Sequence, residues 1–336
     1  MTKIAILGSG SWGTALSIIL SRSPRQHEIT LWSRDPEFAA TLSRDRENRT
    51  YLPSCAIPNH VTITANIAAA LHDSSIVISA VPSAHVRKIF TQAMGHLPAN
   101  AVMVSATKGL EPETHLRMSE LLTSLVAKNS ELQIAVLSGP SFAAEAARSE
   151  PTAVVVASQS AAVATTVQDE FAAPNFRLYT NDDVLGVELA GAMKNVIAIA
   201  AGACQGLGLG SNAVAALVTR GLAEISRLAA ALGARPETMS GLAGLGDLVL
   251  TCTGNLSRNR QVGFGLGSGR QLPEILSSMR MVAEGVGTTA PLLALAREHH
   301  VDLPITTQVD AILHRALPPR DAIRAIMDRP QKRESS

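Results

Sequence analysis

The chain has 336 residues, 46% of them apolar and only 3% aromatic, which allows a sizeable aliphatic core and roughly two domains. Its 29 basic and 28 acidic residues leave a net charge of +1 with no long basic run, which argues against a nucleic-acid partner. Three widely spaced cysteines without a CxxC, and nine histidines without ligand spacing, exclude a disulfide framework and a metal site and point to reduced thiols in a cytoplasmic protein.

Lys3 to Leu7 is a short β-branched run, too brief for a signal sequence. It leads into Gly8-Ser9-Gly10-Ser11-Trp12-Gly13, a G-x-G-x-x-G, and then into the helical Thr14 to Leu20. Between a strand and a helix this pattern reads as a dinucleotide phosphate loop. Gly8 makes the turn, Gly10 admits the pyrophosphate, and Gly13 lets the helix pack on the strand. A glycine-rich turn without ligand is the alternative. The next strand, Glu28 to Trp32, ends in Ser33-Arg34-Asp35. The acid that would bond an NAD ribose is displaced, and Arg34 stands where a 2′-phosphate could be held, so NADP is accepted alongside NAD. An ordinary surface arginine is the other reading.

Ile76 to Val81 and Ala101 to Ala106 are continuous apolar runs, as buried parallel strands are. Pro82-Ser83 follows the first, with Ser83 as a helix cap. Lys108 follows the second. Ile134 to Leu137 precedes Gly139 and Ser141 and a helix from Phe142 to Ala147. Lys108, Gly139 and Ser141 thus fall at strand carboxyl ends, where ligands sit in open α/β sheets. The strand Thr152 to Ala157, a helix from Ala161 to Ala172 and the strand Phe176 to Tyr179 complete a mostly parallel, doubly wound α/β sheet of the Rossmann type over residues 1–182.

From Val184 the strand patterns fade, so residues 183–336 read as an all-α domain. Its first helix, Val184 to Gln205, is apolar around most of its circumference yet carries Lys194 and Asn195. Glu188 lies six positions from Lys194 and cannot be its i,i+4 partner. The lysine either reaches the surface or has a distant carboxylate, a ligand anion or a lowered pKa. The interrupting polar residues argue against a transmembrane segment. Further helices are expected at Ala213–Leu232, Pro236–Ser240, Asn259–Gly263, Pro273–Ser278, Thr289–His300, Thr306–His314 and Asp321–Met327, with a frayed tail from Arg329 to Ser336. Gly241 to Asp247 reads as a glycine-rich loop, and Asp247 as a lone carboxylate fit to partner Lys194. Ser257 reads as an N-cap. Arg258 and the amides behind it suit a phosphate, although either Arg258 or Arg260 alone could be merely solvated.

The blocks GSGSWGTAL, NRTYLP, VPS, TKGLE, SGPSFAAE, ELAGAMKNVIAIAAG, TRGLAE, GLAGLGDLVLTC, SRNRQVG and VAEGVGT run along nearly the whole chain. Together they resemble the bacterial NAD(P)-dependent glycerol-3-phosphate dehydrogenases. The resemblance implies reversible reduction of dihydroxyacetone phosphate to sn-glycerol 3-phosphate by NADH or NADPH, feeding phospholipid synthesis. It implies dinucleotide contacts from Ser11, Trp12, Arg34, Lys108, Ala143, Arg258, Val282 and Glu284. Around the substrate it implies Lys108, Gly139, Ser141, Lys194, Asp247, Ser257, Arg258 and Asn259, with Lys194 as general acid/base. A homodimer is open. The rival readings are a related two-domain dehydrogenase of another hydroxy or keto acid, and a non-enzymatic dinucleotide sensor.

Overall fold

The structure, a computed structural model, describes residues 1–126, 133–331 and 333. Part of the tail read as frayed, Lys332 and 334–336, lies outside the described residues. The strands are β1 (Lys3–Leu7), β2 (Glu28–Trp32), β3 (Glu47–Asn48), β4 (Leu52–Ala56), β5 (Thr62–Thr64), β6 (Ile76–Ser79), β7 (Val102–Ser105), β8 (Gln133–Ser138), β9 (Thr152–Ala157) and β10 (Phe176–Asn181). Among them run helices α1 (Ser11–Leu20), α2 (Pro36–Asp45), α3 (Ile67–Leu71), α4 (Val86–Ala93), α5 (Met118–Leu125), α6 (Ala143–Ala147) and α7 (Ala161–Phe171).

An eight-stranded sheet has the order β10-β9-β8-β7-β6-β1-β2-β5, parallel except where β8 meets β9. The order turns back beside β1, which pairs with β2 on one side and β6 on the other. The crevice beyond the carboxyl ends at such a reversal is the usual ligand position. Side chains along β1 alternate between two cores: Ile4 and Ile6 join the cluster on one face, Ala5 and Leu7 that on the other. Both faces are buried, which explains the unbroken apolar runs. The sequence pattern misses α2, α3 and α5, and it places a helix at α4 without bounds. In α2 only Ala39 and Leu42 are buried, so its apolar stripe is faint. The short edge strand β5 and the β3–β4 ribbon escape it for the same reason: no apolar run marks them.

After Asp183 the chain is helical among the described residues: α8 (Val184–Gly206), α9 (Ser211–Ala231), α10 (Pro236–Ser240), α11 (Asp247–Thr253), α12 (Arg258–Gly267), α13 (Leu272–Ser277), α14 (Glu284–Glu298), α15 (Pro304–His314) and α16 (Pro319–Met327). α8 is long and apolar enough to cross a membrane, yet 89% of its most apolar window is buried within the molecule. It is the axis of the helical core. Asp183 starts it by accepting from the Gly186 amide, and further accepts from the Arg235 amide and the Thr238 hydroxyl.

Two readings are corrected. Gly241 to Asp247 is not an open loop: Leu242–Gly246 forms one π-helical turn that runs into α11, so Asp247 sits at a helix start. Ser83 does not cap α4; Ser83–His85 is a 3-10 turn, and the hydroxyl is drawn off to a carboxylate on α14.

The α8–α12 contact is backbone on backbone. A β-carbon on Gly202 would lie 1.9 Å from the Arg260 carbonyl oxygen, and one on Gly263 would lie 1.8 Å from that of Ile199. Gly206 and Gly267 repeat the contact further along. Glycine at these positions lets the helices approach to a distance no side chain permits, and so fixes the start of α12 against the middle of α8.

Candidate functional site

The first turn after β1 is built for close approach. Gly8 has φ +117°, and a β-carbon there would meet the Ala80 carbonyl oxygen at 2.7 Å. A β-carbon on Gly13 would lie 1.8 Å from the Gly8 carbonyl oxygen, so α1 can seat against β1 only through glycine. A β-carbon on Gly10 would meet nothing within 4 Å and would project into open space in front of the helix. The amides at Ser11, Trp12 and Gly13 open α1, whose cap Gly10 offers no side chain. A chain anion therefore has both room and donors there. These residues fit a dinucleotide pyrophosphate. Ala143 opens α6, which packs against α1.

Arg34 is exposed just past the end of β2. The neighbouring Asp35 is spent on structure: its carboxylate accepts from the amides of Glu37 and Phe38 at 2.9 and 3.4 Å and caps α2. The acid one place further along is thus committed away from a ribose, and among the described residues Arg34 is the charge left without a partner at this strand end.

Asp247 draws together the groups at the strand ends and on α8. It is 1% exposed and accepts from Lys194 Nζ at 2.6 Å and from Lys108 Nζ at 2.7 Å, one lysine on each oxygen. Lys108 also donates to the Gly139 carbonyl at 3.0 Å, and Ser141 Oγ donates to that same carbonyl at 2.9 Å. Lys194, 6% exposed, also donates to Thr251 Oγ1 at 2.8 Å. An ammonium carries three N–H bonds, so each lysine keeps one for a ligand. Lys194 is neither solvated nor lacking a partner: the lone carboxylate read from the sequence is its counterion.

Burial drives the Lys194 pKa down to about 8; the Asp247 charge opposes the fall and Lys108 adds to it. Burial pushes the Asp247 carboxyl upward, but Lys108 and Lys194 outweigh that and hold it below its ordinary value. Cys252, also buried beside Lys194, is pushed up to about 12 by burial and stays a thiol. The other cysteines, Cys55 and Cys204, are likewise free and buried.

The second cluster forms at the start of α12. Ser257 Oγ accepts from the Arg260 amide at 3.2 Å, which is the N-cap bond expected. Asn259 Nδ2 donates to Asn195 Oδ1 at 2.9 Å, and Asn259 Oδ1 accepts from the Gly285 amide at 2.9 Å. Asn195 adjoins Lys194, so this bond ties the α12 terminus to the buried lysine. Arg258 donates to the Val282 carbonyl at 2.8 Å, and burial lowers its pKa. Glu284 accepts from Ser83 Oγ at 2.6 Å and from the Ser83 amide at 3.2 Å; burial raises its pKa in spite of these bonds.

The anticipated residues therefore group as follows. Lys108, Gly139, Ser141, Lys194 and Asp247 are joined by hydrogen bonds. Ser257, Arg258, Asn259, Val282 and Glu284 form the adjoining wall. Gly8, Gly10, Ser11, Trp12 and Gly13 line the β1–α1 turn, and Arg34 stands apart at the β2 end. Three residues that the sequence did not assign to the site also take part: Thr251, Asn195 and Ser83. Asn195 had a signal, being a polar side chain on a buried helix. Thr251 had none beyond lying one turn after Asp247.

Comparison with known proteins adds to this picture. Residues 3–164 match the family model for the NAD-dependent glycerol-3-phosphate dehydrogenase N-terminus, and residues 183–324 the model for its C-terminus. A glycerol-3-phosphate dehydrogenase [NAD(P)+] of Koribacter versatilis is 54% identical over 99% of this chain and 99% of its own. One from Geobacter sp. is 49% identical over 99% and 98%. The crystal structure of glycerol-3-phosphate dehydrogenase from Coxiella burnetii superposes with a TM-score of 0.92 at 39% identity, covering 98% of this chain and 99% of that one.

Proposed function

This chain belongs to the NAD-dependent glycerol-3-phosphate dehydrogenase family, and we propose that it reduces dihydroxyacetone phosphate to sn-glycerol 3-phosphate, reversibly, with Lys194 as the general acid/base. The observation that carries the reading is the buried Lys194–Asp247–Lys108 triad set beside the α12 terminus. In this reading residues 1–182 form the dinucleotide-binding domain and 183–336 the helical substrate-binding domain. The parallel sheet before Asp182 and the helices after Asp183 support that division.

The nicotinamide of NADH or NADPH supplies the hydride when bound. Gly8, Gly10, Ser11, Trp12 and Gly13 would hold its pyrophosphate, with Arg34, Lys108, Ala143, Arg258, Val282 and Glu284 completing the contacts. Arg258 and the first amides of α12, together with Ser257 and Asn259, take the substrate phosphate. Lys194 gives a proton to the substrate oxygen as it becomes an alkoxide, and in the reverse direction its neutral amine accepts the hydroxyl proton. Lys108 stabilises the same developing charge through its remaining N–H. Gly139 and Ser141 hold Lys108 and the adjoining strand end in register. Asp247 keeps both ammonium groups in place.

The product is the glycerol phosphate backbone of phospholipids, made in the cytoplasm, where buried free thiols persist. Absorbance at the reduced-nicotinamide band tests the assignment. NADH or NADPH should be consumed with dihydroxyacetone phosphate and scarcely at all with dihydroxyacetone. Equal rates with both ketones would remove the phosphate from the argument.

A further inference from the structure

Glu188 is the other charge on α8, six residues before Lys194, and the chemistry above does not use it. It is buried, and burial raises its pKa. Its carboxylate accepts from the Ser119 amide at 2.8 Å, from Ser119 Oγ at 2.6 Å and from Arg117 Nη1 at 2.6 Å. These donors belong to the start of α5, on the sheet side of the molecule. The residue at the cap position of α5 is Arg117, which has no side-chain acceptor. Glu188, more than sixty residues away in sequence, therefore stands in as the acceptor for the first turn of that helix.

Arg117 closes the loop that begins at Lys108. Leu110 and Arg117 form an antiparallel bridge, and the Glu111 amide donates to the Leu116 carbonyl at 2.9 Å. Glu111 is itself gripped by Arg87 through two bonds of 2.6 Å. Leu110, 1% exposed, is plugged into the helical core beside α8. The loop is thus tied at both ends, and its seat on α8 is Leu110 plus the Glu188–Arg117–Ser119 knot. Residues 188, 191 and 195 share one face of α8. At the middle one, a β-carbon on Gly191 would meet the Ser138 hydroxyl oxygen at 3.0 Å and the Lys108 side chain at 3.6 Å, an ordinary contact. One helix face thus holds the loop at Glu188, runs beside Lys108 at Gly191 and meets the α12 terminus at Asn195.

We propose that Glu188 is a positioning residue for substrate binding: by anchoring Arg117 and the start of α5 it sets where Lys108 meets the substrate. It touches neither substrate nor cofactor and acts through Lys108. The inference rests on the reading of the chain as a dihydroxyacetone phosphate reductase.

The test compares wild type, Glu188→Gln, Lys108→Ala and the double variant. Measured are KM and kcat for dihydroxyacetone phosphate, calorimetric affinity for sn-glycerol 3-phosphate, and melting temperature. Glu188→Gln should weaken both KM and glycerol phosphate affinity by about 10- to 100-fold, the scale of an ångström's misplacement. In the Lys108→Ala background the same substitution should change neither, because coupled sites are not additive. A full-sized effect in that background, or a fall in melting temperature with KM unchanged, would overturn the inference. Ser119→Ala removes a single donor and serves if Glu188→Gln does not fold. Its smaller effect should likewise vanish without Lys108, and its persistence there would count equally against the proposal. A wild-type protein inactive on dihydroxyacetone phosphate would sink the functional reading, and this inference with it. An active wild type with additive effects would sink the inference alone.

Discussion

Lys194, proposed above as the general acid/base, is 6% exposed, and burial pulls its pKa to about 8. In the reductive direction the ammonium is the active form, so kcat/KM should fall as pH rises through about 8. In the oxidative direction the amine is active, so kcat/KM should rise through the same region. Opposed pH profiles with a shared inflection would bear this out, and parallel profiles would refute it. Lys194→Ala should lose roughly 10²–10⁴-fold in turnover while retaining cofactor affinity, measured by nucleotide fluorescence titration. Near wild-type turnover would end the assignment. Arg34 makes a separate claim. With Asp35 committed to capping α2, Arg34→Ala should raise KM for NADPH about tenfold or more and leave NADH nearly unchanged, since it removes one charge-assisted contact to a 2′-phosphate. Equal changes for the two nucleotides would return Arg34 to the solvated surface.

The relation between α8 and α12 decides whether the proposed phosphate site and the proposed proton donor face one substrate. Gly263→Ala would place a methyl 1.8 Å from the Ile199 carbonyl oxygen, so the helices must part. Overpacking of this kind costs about 1–3 kcal/mol. The expected outcome is a lower melting temperature together with a raised KM for dihydroxyacetone phosphate, because the α12 terminus moves away from Lys194. A destabilised variant with unchanged KM would show that the spacing is not critical. At this scale the sequence was partly legible. The strands read well because strands buried on both faces leave unbroken apolar runs, and G-x-G-x-x-G marks the β1–α1 turn by steric need. α2 and the β3–β4 ribbon were missed because few of their side chains are buried. Asp247 could be found as a charge stranded among apolar residues. Its second partner, Lys108, lies 139 residues away, and nothing in local spacing encodes such a pairing. Ser83 was misread for the same reason: its local position suits a cap, but a distant carboxylate takes the hydroxyl.

Across the whole molecule, Ser83–Glu284, Lys108–Asp247 and Arg117–Glu188 link the sheet to the helices through side chains. A bound nucleotide should stabilise both parts at once. At a hundredfold excess over Kd the gain is about 2.7 kcal/mol, and calorimetry should record one transition moving upward. A melt that splits, with only one part shifted, would mean that these links do not couple the halves. The shared carboxylate also sets the balance of charge around Lys108 and Lys194. Lys108, Lys194 and Arg258 bring three positive charges and Asp247 returns one negative, leaving an excess of three minus one, or two, which an ionised Glu284 near Arg258 lowers to one. A phosphate monoester near neutrality carries about −1.5 to −2. Substrate entry is therefore a neutralisation, and any small dianion in the buffer competes for the same deficit. Sulfate or inorganic phosphate would then set the apparent affinity as surely as any residue does.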